Sequence, residues 1–421
     1  FILQDAGATG LIYHEAFAAA VQAAGFPVHG SGFRVCIGEK NPLADIPFSS
    51  AINHEPVTIP SSPSDLAVIL YTSGTTGRPK GAMLTHRNLV SNATSTVTAL
   101  GLKPGEDILL VVLPMFHAFA ATACMLSSLL FGCTIVPLPR FDPEATARAI
   151  QEHHITIFMG VPSMYNLLLR LPPEFTPMFA SLRHAISGGA AMPVEVMRQF
   201  EARFGKIIYE GDGPTECSPV TCVNPIGGLR KPASVGLPLP GVEMKIMDDS
   251  GTELPHGQVG EICVRGPNVM KGYWNQPEET ARSFFGAWFR TGDLGTEDDD
   301  GYFFIVDRKK DMIIVNGMNV YPRVVEEVLY KHPAVREAAV IGEPDELHGE
   351  IPVACVSLKA GASATAADLR AFCRESLGRH EIPRKVFFLA ELPKNAAGKI
   401  LKRELRKHGE LERGIDSRAP E

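Results

Sequence analysis

Between Leu66 and about Tyr209, short apolar runs rich in β-branched residues alternate with stretches of helical spacing. The runs Leu66–Leu70, Ile108–Leu113, Thr134–Leu138, Ile155–Met159, His184–Ser187 and Ile207–Tyr209 read as strands. The segments from near Thr85, Phe119–Leu130, Pro162–Arg170 and Pro193–Phe204 read as helices. Asp142-Pro143 reads as an N-cap followed by proline at the first helical position. Such βαβ alternation predicts an α/β fold in which a parallel sheet carries helices on both faces.

The pattern changes after about Val220. Helical periodicity fades, and short strands (Glu243–Met247, Glu261–Arg265, Tyr302–Val306) stand between Pro/Gly turns. This predicts a β-rich subdomain over about 220–307, which completes a large domain spanning 1–307. Alternation resumes on a smaller scale after Arg308. Met312–Val315, Ala338–Ile341 and Val353–Leu358 read as strands, and Pro322–Lys331 and Ala366–Leu377 as helices. A small, mobile α+β domain over 308–421 follows, with its boundary in the charged run Asp307–Asp311 and a polar, frayed end.

A chain of 421 residues exceeds one typical core, in line with more than one domain. Hydrophobic residues at 45% and charged residues at 21% are ordinary for a globular protein. A net charge of -7 argues against general nucleic-acid affinity. The eight cysteines show no CxxC pair or zinc-like spacing, which fits free thiols in a reducing compartment. The stretch from Ile108 to Pro139 lacks Asp, Glu, Lys and Arg, and a hydropathy window would flag it as a membrane span. Pro114, His117, Gly132 and Pro137 divide it, and it reads as strand, helix and strand of a buried core instead.

Candidate chemistry begins with Tyr71-Thr72-Ser73-Gly74-Thr75-Thr76-Gly77-Arg78-Pro79-Lys80-Gly81, read as a loop between a strand and a helix. Glycines let a backbone approach a ligand, hydroxyls donate to phosphate oxygens, and Lys80 adds a point charge. The loop is not a Walker A motif, because Gly77 is followed by Arg78 and Lys80 by Gly81. Further along, His117 stands in an apolar run, Ser187-Gly188-Gly189-Ala190 follows a strand, and Thr215-Glu216 follows Gly211 and Gly213. Asp293 lies in Trp288-Phe289-Arg290-Thr291-Gly292-Asp293-Leu294, and Lys399 in Pro393-Lys394-Asn395-Ala396-Ala397-Gly398-Lys399-Ile400. Taken singly, each has a bland reading: a core histidine, a tight turn, an aspartate in a β-turn, an exposed lysine.

Taken in order, these segments resemble the motifs of the adenylate-forming superfamily, which includes acyl-CoA synthetases, luciferases and the adenylation domains of peptide synthetases. The resemblance covers nearly the whole chain and implies that a further N-terminal stretch precedes Phe1. It implies that Thr72, Ser73, Gly74, Thr75, Thr76, Gly77 and Lys80 cradle ATP phosphates, that Gly188 and Gly189 pass along adenine and acyl groups, and that His117 neighbours the substrate carboxylate. Thr215 would contact phosphate, Glu216 would bind Mg²⁺, and Asp293 would accept from the ribose hydroxyls. Arg308 would reach the nucleotide, Lys310 would be a hinge pivot, and Asn316 and Gly317 would line a pantetheine tunnel. Lys399 would be the catalytic cation. Asp212 and Pro214 depart from the family's GYG(L/M)TE pattern, so the usual aromatic stack on adenine is missing at Asp212.

Glu210-Gly211, Thr215–Pro219 and Gly266–Trp274 further resemble bacterial long-chain fatty acid–CoA ligases. The implied activity is ATP-dependent conversion of a medium- or long-chain fatty acid to acyl-CoA through an acyl-adenylate, with AMP and pyrophosphate released. ATP, Mg²⁺ and coenzyme A would be required. The resemblance implies a cytoplasmic protein with no transmembrane segment, open to peripheral contact with the inner membrane face and to homodimer formation. Two alternatives stay open: adenylation of another carboxylate or loading of a carrier protein, and an inactive binding remnant.

Overall fold

A computed structural model describes residues 1–25, 33–38, 45–51, 60–72, 79–395 and 398–411. The chain divides into two compact units, one of residues 1–86 and 271–280, the other of residues 87–270 and 281–421.

Among the described residues, the first unit holds two three-stranded sheets. Gly10–His14, Phe33–Ile37 and Ile46–Pro47 run parallel. Leu66–Thr72 pairs antiparallel with Lys80–Thr85, which pairs in turn with Gly272–Tyr273. The sequence reading is corrected here. The glycine-rich loop joins two antiparallel strands, and helix His86–Leu100 starts only after the second. Leu66–Leu70 therefore belongs to this antiparallel sheet and not to the parallel one. Lys80–Thr85 was hidden because it mixes a lysine and a glycine into six residues, and its pairing with Gly272–Tyr273 is remote in sequence.

The second unit is built on a seven-stranded sheet. In spatial order its strands are Leu237–Pro238, Cys222–Val223, Ile208–Asp212, His184–Ser187, Ile157–Gly160, Ile108–Val111 and Thr134–Pro137. The last five run parallel, with Ile208 opposite Ala185, Ile157 opposite His184 and Leu109 opposite Ile157. The first two are antiparallel additions. All residues of Ile157–Gly160 and His184–Ser187 are buried, as a sheet covered on both faces requires. Tyr165, Phe179, Phe200 and Phe204 pack their rings together beside it. Asp142 caps helix Pro143–Glu152 by accepting from the Ala145 N–H at 2.8 Å. The apolar stretch folds as strand Ile108–Val111, π-helical turns Phe119–Leu126, helix Ser127–Phe131 and strand Thr134–Pro137. Among the described residues no helix is long and apolar enough to cross a membrane.

The β-rich region is an antiparallel sheet of Glu243–Met247, Gly260–Arg265, Trp288–Glu297, Phe284–Phe285 and Phe303–Arg308. Its last strand leads through Lys309–Asp311 into a sheet of Ile313–Val315, Met318–Val320, Val335–Asp345, Gly349–Leu358 and Lys385–Phe388. Helices Pro322–Tyr330 and Ala366–Arg374 close one core of this lobe around Val320, Val325, Leu329, Val356 and Leu369. Thr365 and Asp368 form a reciprocal capping box at the start of the second helix.

Candidate active site

The parallel strands end on one side of the sheet. Ligands of open α/β sheets gather at the carboxyl ends of the strands, where loops and helix starts expose backbone groups. Strand Ile108–Val111 leads to His117, Ile157–Gly160 to Val161, His184–Ser187 to Gly188-Gly189, and Ile208–Asp212 to Thr215. A cavity of about 580 Å³ lies there, with His117, Gly188, Gly189, Asp212 and Thr215 on its wall. Its apolar side comes from Leu100, Phe119, Ala123, Met159, Val220 and Leu239. A smaller cavity of about 340 Å³ shares His117, Phe119 and Gly189 and adds Asn395 and Lys399 from the C-terminal lobe.

Two glycines stand close to their neighbours, and at Gly213 no side chain fits. A Cβ at Gly213 would stand 1.7 Å from the Pro219 carbonyl oxygen, and one at Gly188 would press to 3.2 Å on the Phe119 ring. Phe119 opens the π-helical turns, a wider winding that often marks functional sites.

The polar groups form one electrostatic cluster. Asp293 and Arg308 face each other across neighbouring strands, and Arg308 Nε donates to Asp293 Oδ1 at 2.9 Å. The Asp293 carboxylate holds the Arg308 guanidinium above its ordinary value. Burial, and then the negative charge of Asp293, push the Asp212 carboxyl up to about 6. Much of the Lys399 side chain remains open to solvent within the cleft. Even so, the protein crowded around it, and next the Arg308 charge, push its ammonium down to about 8. His117 is lowered by burial and by Lys399. Its Nδ1 accepts from the Phe119 N–H at 3.3 Å, so the neutral ring carries its proton on Nε2 and can donate there.

The loop bearing Lys399 is held from both sides. Lys394 and Ile400 bridge its base, and Asn395 Oδ1 accepts from the Lys399 N–H at 2.9 Å. The Gly398 carbonyl accepts from Ser163 Oγ at 3.0 Å, at the start of helix Pro162–Leu168. The structure thus brings His117, Gly188, Gly189, Asp212 and Thr215 to one cavity wall and Lys399 to the adjoining cavity. It leaves other expected residues elsewhere. Gly317 and Asn316 form the exposed tip of a hairpin, both with positive φ, as a two-residue turn of this kind needs. Lys310 is exposed in the turn after Arg308.

In the first unit, Thr72 lies opposite Lys80 across the hairpin. The Lys80 ammonium is ion-paired with Glu279 and lies 5.2 Å from the Tyr273 ring centre. Ser73, Gly74, Thr75, Thr76 and Gly77 lie outside the described residues.

The region 1–274 matches the family model of the AMP-binding enzymes, and 324–399 the model of the AMP-binding enzyme C-terminal domain. The chain belongs to the AMP-binding enzyme family. It is 44% identical to a long-chain-fatty-acid–CoA ligase of Bacillus subtilis over 366 residues, or 85% of this chain and 65% of that protein. Thus it spans somewhat less than two thirds of that relative. It is 39% identical to a feruloyl-CoA synthase of an Amycolatopsis species over 96% of this chain and 80% of the other. Among solved structures, ATP-bound MatB from Rhodopseudomonas palustris superimposes with a TM-score of 0.89 at 35% identity, covering 97% of this chain and 80% of that one. An anthranilate CoA ligase in complex with anthranoyl-AMP superimposes at 0.88 and 30% identity, covering 98% and 80%.

Glu216 is half-buried in the turn Thr215–Cys217, and its backbone carbonyl accepts from Met270 N–H at 2.8 Å. Among the described residues no three His, Cys, Asp or Glu side chains gather as a metal cage.

Sequence reasoning assigned no role to Glu210, Arg323 or Asn395. Glu210 and Asn395 stand inside recognised motifs, but nothing in the sequence pairs Arg323 with either.

Proposed function

We propose that this chain activates a fatty acid as an acyl-adenylate and transfers the acyl group to coenzyme A, as an AMP-forming acid–thiol ligase. One observation carries the reading: Lys399 shares a cavity with His117 and Gly189, next to the cavity bounded by Asp212 and Thr215. A carboxylate oxygen of the acid attacks the α-phosphorus of ATP, the bond to the β-phosphate oxygen breaks, and pyrophosphate leaves. Negative charge grows on the α-phosphate oxygens, and a cation already in place lowers that barrier. Lys399 is that cation, with Thr215 as a phosphate contact. The neutral His117 ring donates from Nε2 to the substrate carboxylate. Asp293, held by Arg308, accepts from the ribose hydroxyls, and Gly188-Gly189 leave room for adenine and the acyl group. Thr72–Gly77 and Lys80 take the outer phosphates. Mg²⁺, bound by Glu216, would neutralise phosphate charge.

In the second step the sulfur of coenzyme A attacks the acyl carbon, the bond to the phosphate oxygen breaks, AMP leaves, and the thiol proton passes to solvent. The C-terminal lobe, 308–421, turns about Lys310 between the steps, withdrawing Lys399 and bringing Asn316-Gly317 to the thiol channel. The apolar wall of the larger cavity supports an alkyl substrate. The match to feruloyl-CoA synthases over 96% of the chain keeps an aromatic acid as a second reading.

Two measurements test this on the full-length protein that carries the chain. Lys399→Ala should abolish acid-dependent pyrophosphate exchange yet still form thioester from synthetic acyl-adenylate. Equal loss of both steps overturns the role of the lysine. A panel of acids, read by coenzyme A-dependent AMP release, should favour long alkyl chains. A clear preference for cinnamates would transfer the assignment to the aromatic reading.

A further inference from the structure

Glu210 is a buried charge that the proposed chemistry does not use. It sits on strand Ile208–Asp212 with 1% of its surface exposed. Its Oε1 accepts from the Met192 N–H at 2.9 Å, and its Oε2 has no hydrogen-bond partner among the described residues. The compensating charge comes from the other lobe. Arg323, on helix Pro322–Tyr330, brings Nη2 to 3.7 Å from Glu210 Oε1. Arg323 is itself anchored at the junction between lobes: its N–H donates to Asp307 Oδ2 at 2.7 Å, and Nη1 donates to the Ile305 carbonyl at 2.7 Å.

A second tie lies one helical turn on. Glu327 Oε2 accepts from the Val194 N–H at 3.3 Å, at the start of helix Val194–Phe204. That helix has Pro193 at its N-cap and no side-chain cap of its own, so a carboxylate from the other lobe takes one of its open donors. Positions 323 and 327 share one helix face. Glu327 meets the segment that runs from Gly188-Gly189 into helix Val194–Phe204 at Val194, and Arg323 reaches it through Glu210, which accepts from the Met192 N–H.

We propose that Arg323 and Glu210 are positioning residues, a docking pair that couples the Gly188–Val194 segment to the C-terminal lobe in the arrangement that puts Lys399 into the site. This rests on the proposed role of Lys399. A buried ion pair is a weak source of net stability, but removal of one partner strands a charge in a medium that solvates it poorly. Any arrangement that withdraws Arg323 leaves Glu210 in that condition. The pair therefore favours the Lys399-in arrangement and must be broken for the lobe to turn. Glu327 and Asp212 add like charge around Glu210, and burial raises its carboxyl to about 7. Above that pH the carboxyl is charged, and there the dependence on Arg323 is greatest.

The test compares Arg323→Met, Arg323→Lys, Glu210→Gln and the double variant Arg323→Met/Glu210→Gln in the full-length protein, with Lys399→Ala as control. Each is assayed for pyrophosphate exchange and for thioester formation from synthetic acyl-adenylate. Arg323→Met should cut exchange by about tenfold or more while thioester formation stays level or rises. Arg323→Lys should recover part of the loss. The double variant should exchange faster than Arg323→Met, because the stranded charge is gone. Parallel loss of both half-reactions in Arg323→Met, or exchange left unchanged, overturns the coupling. If Lys399→Ala leaves exchange intact, the reading of the lysine falls instead, so the two failures are distinguishable.

Discussion

Lys399 sets the sharpest expectation at the scale of single residues. With its ammonium pushed down to about 8, the cationic form dominates below that pH and is lost above it, earlier than for an ordinary lysine. The kcat/KM for pyrophosphate exchange, which reports groups of the free enzyme, should therefore fall on an alkaline limb near 8. A limb above 10 would remove burial and Arg308 as influences on this lysine. Gly213 gives a structural counterpart. Gly213→Ala drives a methyl group into the Pro219 carbonyl and should cost about 3 kcal/mol, read from denaturant midpoints at constant m. Sequence exposes residues of this kind as motif members. It does not expose their charges' neighbours. Asp212 and Asp293 are far apart in the chain and on different sheets, and only the tertiary fold places them in one electrostatic cluster with Arg308 and Lys399.

Elements repeat the lesson with a different balance. Strands such as His184–Ser187 and Glu243–Met247 fall at the positions their apolar patterns predict, because burial on both faces or strict alternation leaves few other readings. Local capping chemistry is equally legible. Asp142→Ala should lower stability by about 1 kcal/mol, and Thr365→Ala by a similar amount, each read from thermal or denaturant unfolding. Lys80–Thr85 escaped because its strand character depends on partners, Leu66–Thr72 on one side and Gly272–Tyr273 on the other. The π-helical winding of Phe119–Leu126 also escaped, since apolar composition predicts a buried helix without specifying its pitch.

At the scale of the whole molecule, Arg323 of helix Pro322–Tyr330 faces the buried Glu210 of strand Ile208–Asp212 at 3.7 Å. Burial raises Glu210 to about 7 from an ordinary 4.5, with Arg323 pulling the other way. The folded state therefore holds this proton over a window where the unfolded chain has released it. Stability should fall as pH rises from about 4.5 to about 7, with the cost complete above that window and absent below it. Glu210→Gln should flatten this part of the pH dependence of unfolding, while other carboxylates still act at lower pH. A profile unchanged by the substitution would show that Glu210 titrates normally in the fold. Patterning and motif order alone determined the α/β core, the β-rich region, the α+β region that follows and the family, because periodic burial and loop chemistry are local properties of the chain. Tertiary structure decided which strand the glycine-rich loop leads into, which charges share a site, that Lys399 meets the loops after the parallel strands, and that Arg323 meets Glu210 within one of them. Those are relations between residues remote in sequence, set by packing and by the cost of burying charge without a partner.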